Sequence, residues 1–148
     1  MERRRVHRCL AALCWLAAVV AASPGVPLAA QGSLDEVAQR ARAAWLAHDA
    51  AGLVGASRGL VLQIPGADPS SPLDAAQAVE LLRRYFRTAQ ERGLELAAVR
   101  EVEQGRGLVE LRRRYVVEGT ADERRESLFL GFRRVGGAWV LTELRSAP

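Results

Sequence analysis

His48, Tyr85, Arg113 and Tyr115 are the residues of this chain whose types suit them to chemistry, and histidine is the type among them best suited to acid–base work near neutral pH. It is the one histidine beyond residue 30, so a general acid or base would favour it. Asp49 adjoins it, but neighbours at a helix end point in different directions, so adjacency does not make a dyad. The plainer account has Asp49 capping a helix, with His48 at the C-terminus of the helix before it, where the dipole favours a cation. Arg113 stands in the run Leu108-Val109-Glu110-Leu111-Arg112-Arg113-Arg114-Tyr115-Val116-Val117. Strand alternation sends Val109, Leu111, Arg113, Tyr115 and Val117 to one face and Arg112 and Arg114 to the other. The first face is the more apolar, so Arg113 is expected inside, where a guanidinium needs an anion. That anion is either a carboxylate such as Glu143 or a ligand, with snorkelling to the rim as a third outcome. Trp45, Tyr85, Phe86, Tyr115 and Trp139 either line a cavity or simply fill the core. Tyr85 or Tyr115 with His48 is the one combination that could serve an enzyme as oxyanion donor and base.

The sequence holds no metal-ligand cluster, phosphate loop, nucleophile elbow or closely spaced carboxylate pair. Both cysteines, Cys9 and Cys14, lie near the N-terminus, and no disulfide framework or thiolate site is expected beyond residue 30. No catalytic residue, metal ligand or cofactor is assigned.

Residues 1–30 explain much of this scarcity. Arg3, Arg4, Arg5 and Arg8 precede an apolar run from Cys9 to Ala22 and a small-residue stretch, SPGVPLAAQG. A basic start, short apolar core and small-residue exit make a secretory signal peptide. The run falls short of the roughly 20 residues of a spanning helix. Cleavage is expected after Ala30, with Ala22 as the competing position, giving an exported, periplasmic or extracellular protein. Leu13, directly before Cys14, does not fit a lipoprotein signal; an uncleaved signal anchor is the main alternative. Of 21 basic and 17 acidic residues, four Arg and Glu2 lie in the leader, so residues 31–148 carry a formal charge of +1. The high isoelectric point is therefore partly an export signal, and no nucleic-acid partner is expected. Lys and Asn are absent and Ile64 is the one isoleucine, a bias that resembles GC-rich coding. It also excludes an N-glycosylation sequon.

Residues 31–148 suffice for one domain with a real core. Ser33 and Glu36 form a capping box, and Leu34, Val37, Ala38, Ala41 and Trp45 mark one face of a helix ending near His48. Asp49 caps a short helix, about Ala50 to Ser57, and a strand follows over Gly59 to Ile64. Asp74 with Gln77 opens a long helix carrying Ala78, Leu81, Leu82, Tyr85, Phe86 and Ala89, stopped by Gly93. The period then changes to two, predicting strands at Leu94–Glu103, Leu108–Glu118, Glu126–Val135 and Ala138–Arg145. Gly136-Gly137 reads as a hairpin turn.

This order resembles a nuclear transport factor 2-like domain, and more narrowly the bacterial domain of unknown function 4783 family. The residues that carry the resemblance are the turn His48-Asp49-Ala50-Ala51-Gly52-Leu53, the helix Asp74-Ala75-Ala76-Gln77-Ala78-Val79-Glu80-Leu81-Leu82-Arg83-Arg84-Tyr85-Phe86, and Leu144-Arg145 on the last strand. His48 stands where the family more often has Gly. The resemblance implies an α+β cone, with N-terminal helices packed on a curved antiparallel sheet. It implies no activity, since the superfamily includes isomerases, dehydratases, adaptors and binding modules.

The expected function is a non-catalytic domain of the cell envelope that binds a small ligand or a protein. Arg113, Tyr115, Tyr85, Trp45 and His48 are its candidate ligand-binding residues, for a small apolar or carboxylate-bearing ligand. An isomerase or dehydratase is the alternative. A homodimer through the outer sheet face is the third reading, disfavoured by Arg112, Arg114, Glu126 and Arg134, all expected to point outward.

Overall fold

A computed structural model describes residues 32–65 and 67–148. The expected leader lies outside them. Three helices, α1 (Leu34–Leu46), α2 (Ala50–Val54) and α3 (Ala75–Phe86), pack on a five-stranded sheet of β1 (Val61–Gln63), β2 (Ala89–Glu103), β3 (Arg106–Val117), β4 (Glu123–Val135) and β5 (Ala138–Ala147). The strand order is β1-β5-β4-β3-β2. The last four strands form an antiparallel meander, and β1 joins β5 in parallel. Among the described residues no helix is long and apolar enough to cross a membrane.

Local chemistry sets the helix starts. Ser33 and Asp74 each form a complete capping box, with Glu36 and Gln77 reaching back to the cap amide. The Asp49 carboxylate accepts from the Gly52 amide at 2.9 Å and so starts α2. Between α1 and α2 the chain turns at His48, whose φ of 53° lies in the left-handed region that favours glycine. Gly136 and Gly137, both at positive φ, close the β4–β5 hairpin as their sequence predicts.

The core lies between the helices and the concave face of the sheet. Trp45, Leu60, Leu82, Leu111, Leu128, Leu130 and Leu144 are fully buried there. Burying such side chains, at about 1.5–3 kcal/mol each, supplies the main driving force for folding. Long β2 carries three register shifts, and such bulges bend and twist a strand. The Arg42 Nε donates to the Leu94 carbonyl at 2.8 Å, fastening α1 across that bend.

Two departures from the expected elements bear on function. Helix α3 stops at Phe86, seven residues before Gly93, and strand β2 begins at Ala89. Gly93 sits inside the strand beside a bulge, with the Arg114 guanidinium packed over it. In β5 the register passes from Leu141 to Glu143 against consecutive residues of β4, leaving Thr142 as a bulge. That extra residue reverses the phase of alternation. Leu141 and Leu144 both face the core, whereas Glu143 turns outward to pair with Arg145 at 2.9 Å.

Candidate functional site

Strand β3 carries Arg113 into the cone, where it is 1% exposed. Glu143 is not its partner; the bulge at Thr142 has turned that carboxylate to the other face. Two other carboxylates hold it. Glu91 of β2 accepts from Nε at 2.9 Å on Oε1 and 3.0 Å on Oε2, and from Nη2 at 2.6 Å. Glu126, directly opposite Arg113 in the β3–β4 register, accepts from Nη1. Glu126 was expected on the outer face, but it shares the phase of Leu128, Leu130 and Phe132 and is buried with them.

Neighbouring side chains complete the cluster. The Tyr85 hydroxyl accepts from Arg113 Nη1 at 2.8 Å and donates to Glu126 Oε1 at 2.7 Å. Ser146 donates to Glu126 Oε2 at 2.7 Å, and the Trp45 indole donates to Glu91 Oε1 at 3.2 Å. Three rings enclose the guanidinium, with centroids 4.0 Å (Tyr115), 5.1 Å (Tyr85) and 5.2 Å (Trp45) from its central carbon. This is cation–π contact in a desolvated setting. Half-exposed His48 stacks on Phe86 with centroids 5.1 Å apart, its Nε2 3.9 Å from Glu91.

Burial opposes the charge on Arg113, but the bonds to Glu91 and the surrounding negative groups outweigh it and raise its pKa above the ordinary value. Burial likewise raises Tyr85 well above a free phenol, assisted by Glu126 and countered by the Arg113 charge. Tyr85 is therefore neutral at physiological pH and acts as a fixed hydroxyl. The carboxylates are engaged on both oxygens, so neither is a free base.

The other face of the same strands is different in kind. Gly93, Glu95, Arg112, Arg114, Arg125 and Ser127 line a shallow basin of about 450 Å³. Arg114 stands directly opposite Arg125 in the β3–β4 register. Like charges in that position repel. Arg112 and Arg114 reach only loose contacts, with Glu110 at 3.7 Å and Glu123 at 3.6 Å. Among the described residues Arg125 has no ion pair.

Solved structures share this architecture. A ketosteroid isomerase-like protein from Erwinia carotovora atroseptica superposes with a TM-score of 0.63 at 14% identity, over 78% of this chain and 95% of that one. A domain of unknown function 4783 family protein from Bacteroides uniformis gives 0.61 at 13% identity, over 73% and 93%. A dehydratase, so named provisionally, of the nuclear transport factor 2-like family from Streptomyces avermitilis gives 0.60 at 14%, over 77% and 91%. The chain has the nuclear transport factor 2-like fold. No protein-family model and no curated protein matches the sequence.

Within this nuclear transport factor 2-like cone, all five expected residues converge. Trp45, Tyr85, Arg113 and Tyr115 form one cluster, and His48 stands at its edge. Trp139 lies apart, buried beside α1 and α2. Sequence reasoning missed Glu91 and Glu126, which supply the anions. Glu126 was legible from alternation with Leu128, whereas Glu91 lay in a segment that reads as helix.

Proposed function

We propose that this chain is an exported, non-catalytic binding domain that takes a carboxylate-bearing ligand on the arginine basin of its sheet. One contrast across β3 and β4 carries the reading. The inward guanidinium is fully matched by carboxylates, while of the outward pair Arg114 reaches Glu123 only at 3.6 Å and Arg125, opposite it, has no ion pair among the described residues. A bound carboxylate would relieve that repulsion through charge-assisted, bidentate hydrogen bonds. Export is supported by the leader-like pattern of residues 1–30.

An isomerase or dehydratase, the activities after which two fold neighbours are named, has one observation in its favour. The Tyr85 hydroxyl lies 2.7 Å from the Glu126 carboxylate inside the cone. Against it, Arg113 and Ser146 occupy the oxygens of that carboxylate, and a general base must be free to take a proton.

Calorimetric titration with succinate tests the binding reading. Saturable binding, weakened about tenfold or more in Arg125→Gln and fading with added salt, is expected. Equal affinity in the wild type and in Arg125→Gln would overturn it. Turnover of a carbonyl substrate that vanishes in Glu126→Gln would replace it with the enzymatic reading.

A further inference from the structure

The two edges of the sheet are finished differently. At the β1 edge the segment around Ser70 takes up the backbone groups. The Leu62 N–H donates to the Ser70 hydroxyl at 3.0 Å, and the Ser70 N–H to the Leu62 carbonyl at 2.8 Å. Leu60 and Leu73 exchange backbone bonds at 3.1 and 3.0 Å. At the other edge β2 ends the sheet, with no strand beyond it among the described residues. An open edge of 15 residues is a template for pairing with another chain. Bulges and charges ordinarily blunt such an edge. Strand β2 carries both, but in an arrangement that matches a second copy.

The pairing with β3 passes from Leu96–Leu111 to Ala98–Glu110, so Ala97 is an extra residue. That bulge reverses the phase of alternation. Glu95, opposite Arg112, and Arg100, opposite Leu108, therefore share the outer face despite their odd separation. Leu96 and Val99, opposite the buried Leu111 and Val109, share the inner face. Turned about a two-fold axis between Ala97 and Ala98, the strand meets itself with each face preserved. Glu95 then stands opposite Arg100 of the second copy and Leu96 opposite Val99, and symmetry makes each pairing twice. Further out, Arg92 falls opposite Glu103. Leu94 falls opposite Glu101, so Arg42, bonded to the Leu94 carbonyl at 2.8 Å, comes beside an acid. Glu95 and Arg100 are exposed and make no ion pair among the described residues. Opposite charges directly across a ladder stabilise it. A shift of two residues either way sets Glu95 against Ala98 or Val102 and loses both matches with Arg100.

We propose that this chain pairs with a second copy of itself through β2, antiparallel about Ala97–Ala98, joining two five-stranded sheets into one. The closed edge at β1 stops growth at two copies. The inference goes beyond the binding reading and needs neither the basin nor its ligand.

Sedimentation equilibrium of the full chain is the test. A concentration-dependent exchange of monomer and dimer is expected, with the dimer favoured at low salt. Arg100→Glu sets two acids together at both matches and should weaken the dimer about tenfold or more. Adding Glu95→Arg to it reverses both charges and should restore the wild-type constant. Arg125→Gln, in the basin, should leave the dimer unchanged even if it abolishes succinate binding. A chain that stays monomeric to about millimolar concentration overturns the proposal. So does a dimer indifferent to Arg100→Glu, one that the charge reversal fails to restore, one lost in Arg125→Gln, or growth beyond two copies.

Discussion

Arg113 and its neighbours Arg112 and Arg114 are consecutive in sequence and alike in chemistry, yet they live under opposite rules. The central one is buried, held by two carboxylates, a tyrosine hydroxyl and three rings. The flanking two lie on the outer face, loosely paired, with Arg114 set against Arg125. A single strand step separates a charge that the fold cannot lose from charges that it could do without. Composition therefore says little about an arginine's role; strand phase and the residue across the ladder decide it.

The most severe way to break this contrast is Arg113→Met. It strands Glu91 and Glu126 in the interior, and removing one partner of a buried ion pair costs about 3–5 kcal/mol. Urea denaturation should show a loss of that size; a loss below about 1 kcal/mol would mean that solvent reaches the cluster.

Tyr85→Phe deletes the hydroxyl that bridges Arg113 and Glu126, and should cost about 1–3 kcal/mol by the same assay. The same hydroxyl gives an alkaline signature. Its folded pKa is raised above the unfolded value of 10.0, so the native state holds that proton more tightly than the unfolded chain does. Its contribution is complete below pH of about 10 and is lost as pH rises beyond. Phenolate absorbance should show Tyr85 ionising only as the protein unfolds, and Tyr85→Phe should remove that part of the alkaline loss.

On the outer face the sign reverses. Arg125→Gln relieves the repulsion of a cross-strand like-charge pair and should stabilise the domain by about 0.2–1 kcal/mol at low salt. The gain should shrink as salt is added; a destabilisation would show that Arg125 has an anion partner in the free protein. Smallest of all, Glu143→Gln removes an exposed pair with Arg145 and should change stability by less than about 1 kcal/mol. An effect as large as that of Tyr85→Phe would put Glu143 inside the cone after all.

The fold was legible wherever a local rule had no competitor. Ser33–Glu36 and Asp74–Gln77 announce helix starts, and Gly136-Gly137 announces a hairpin. The inward Arg113 followed from alternation on β3 alone. Its partners depended on irregularities that leave weak traces. Arg87-Thr88-Ala89-Gln90-Glu91-Arg92 has helix-forming composition, and Gly93 reads as a helix stop; the strand there is fixed by pairing with β3, a tertiary effect. The bulge at Thr142 has no glycine on its own strand, the one beside it being Gly131 across the ladder, so Glu143 looks inward by counting and is not. Glu126 is the instructive miss, because its phase with Leu128 was available and its charge argued against it.

The parallel pairing of β1 with β5 has a consequence for biogenesis. Val61 meets Glu143 and Gln63 meets Arg145, so an early segment waits for neighbours made some eighty residues later. Ser146 likewise delivers its hydroxyl to Glu126 from the far end of β5. During synthesis the helices and the first three meander strands can collapse together, but β1 lacks its partner strand, and Glu126 lacks the Ser146 donor, until the last strand emerges. Closing such distant contacts is slow. A nascent chain of this kind stays incompletely closed until β5 has emerged.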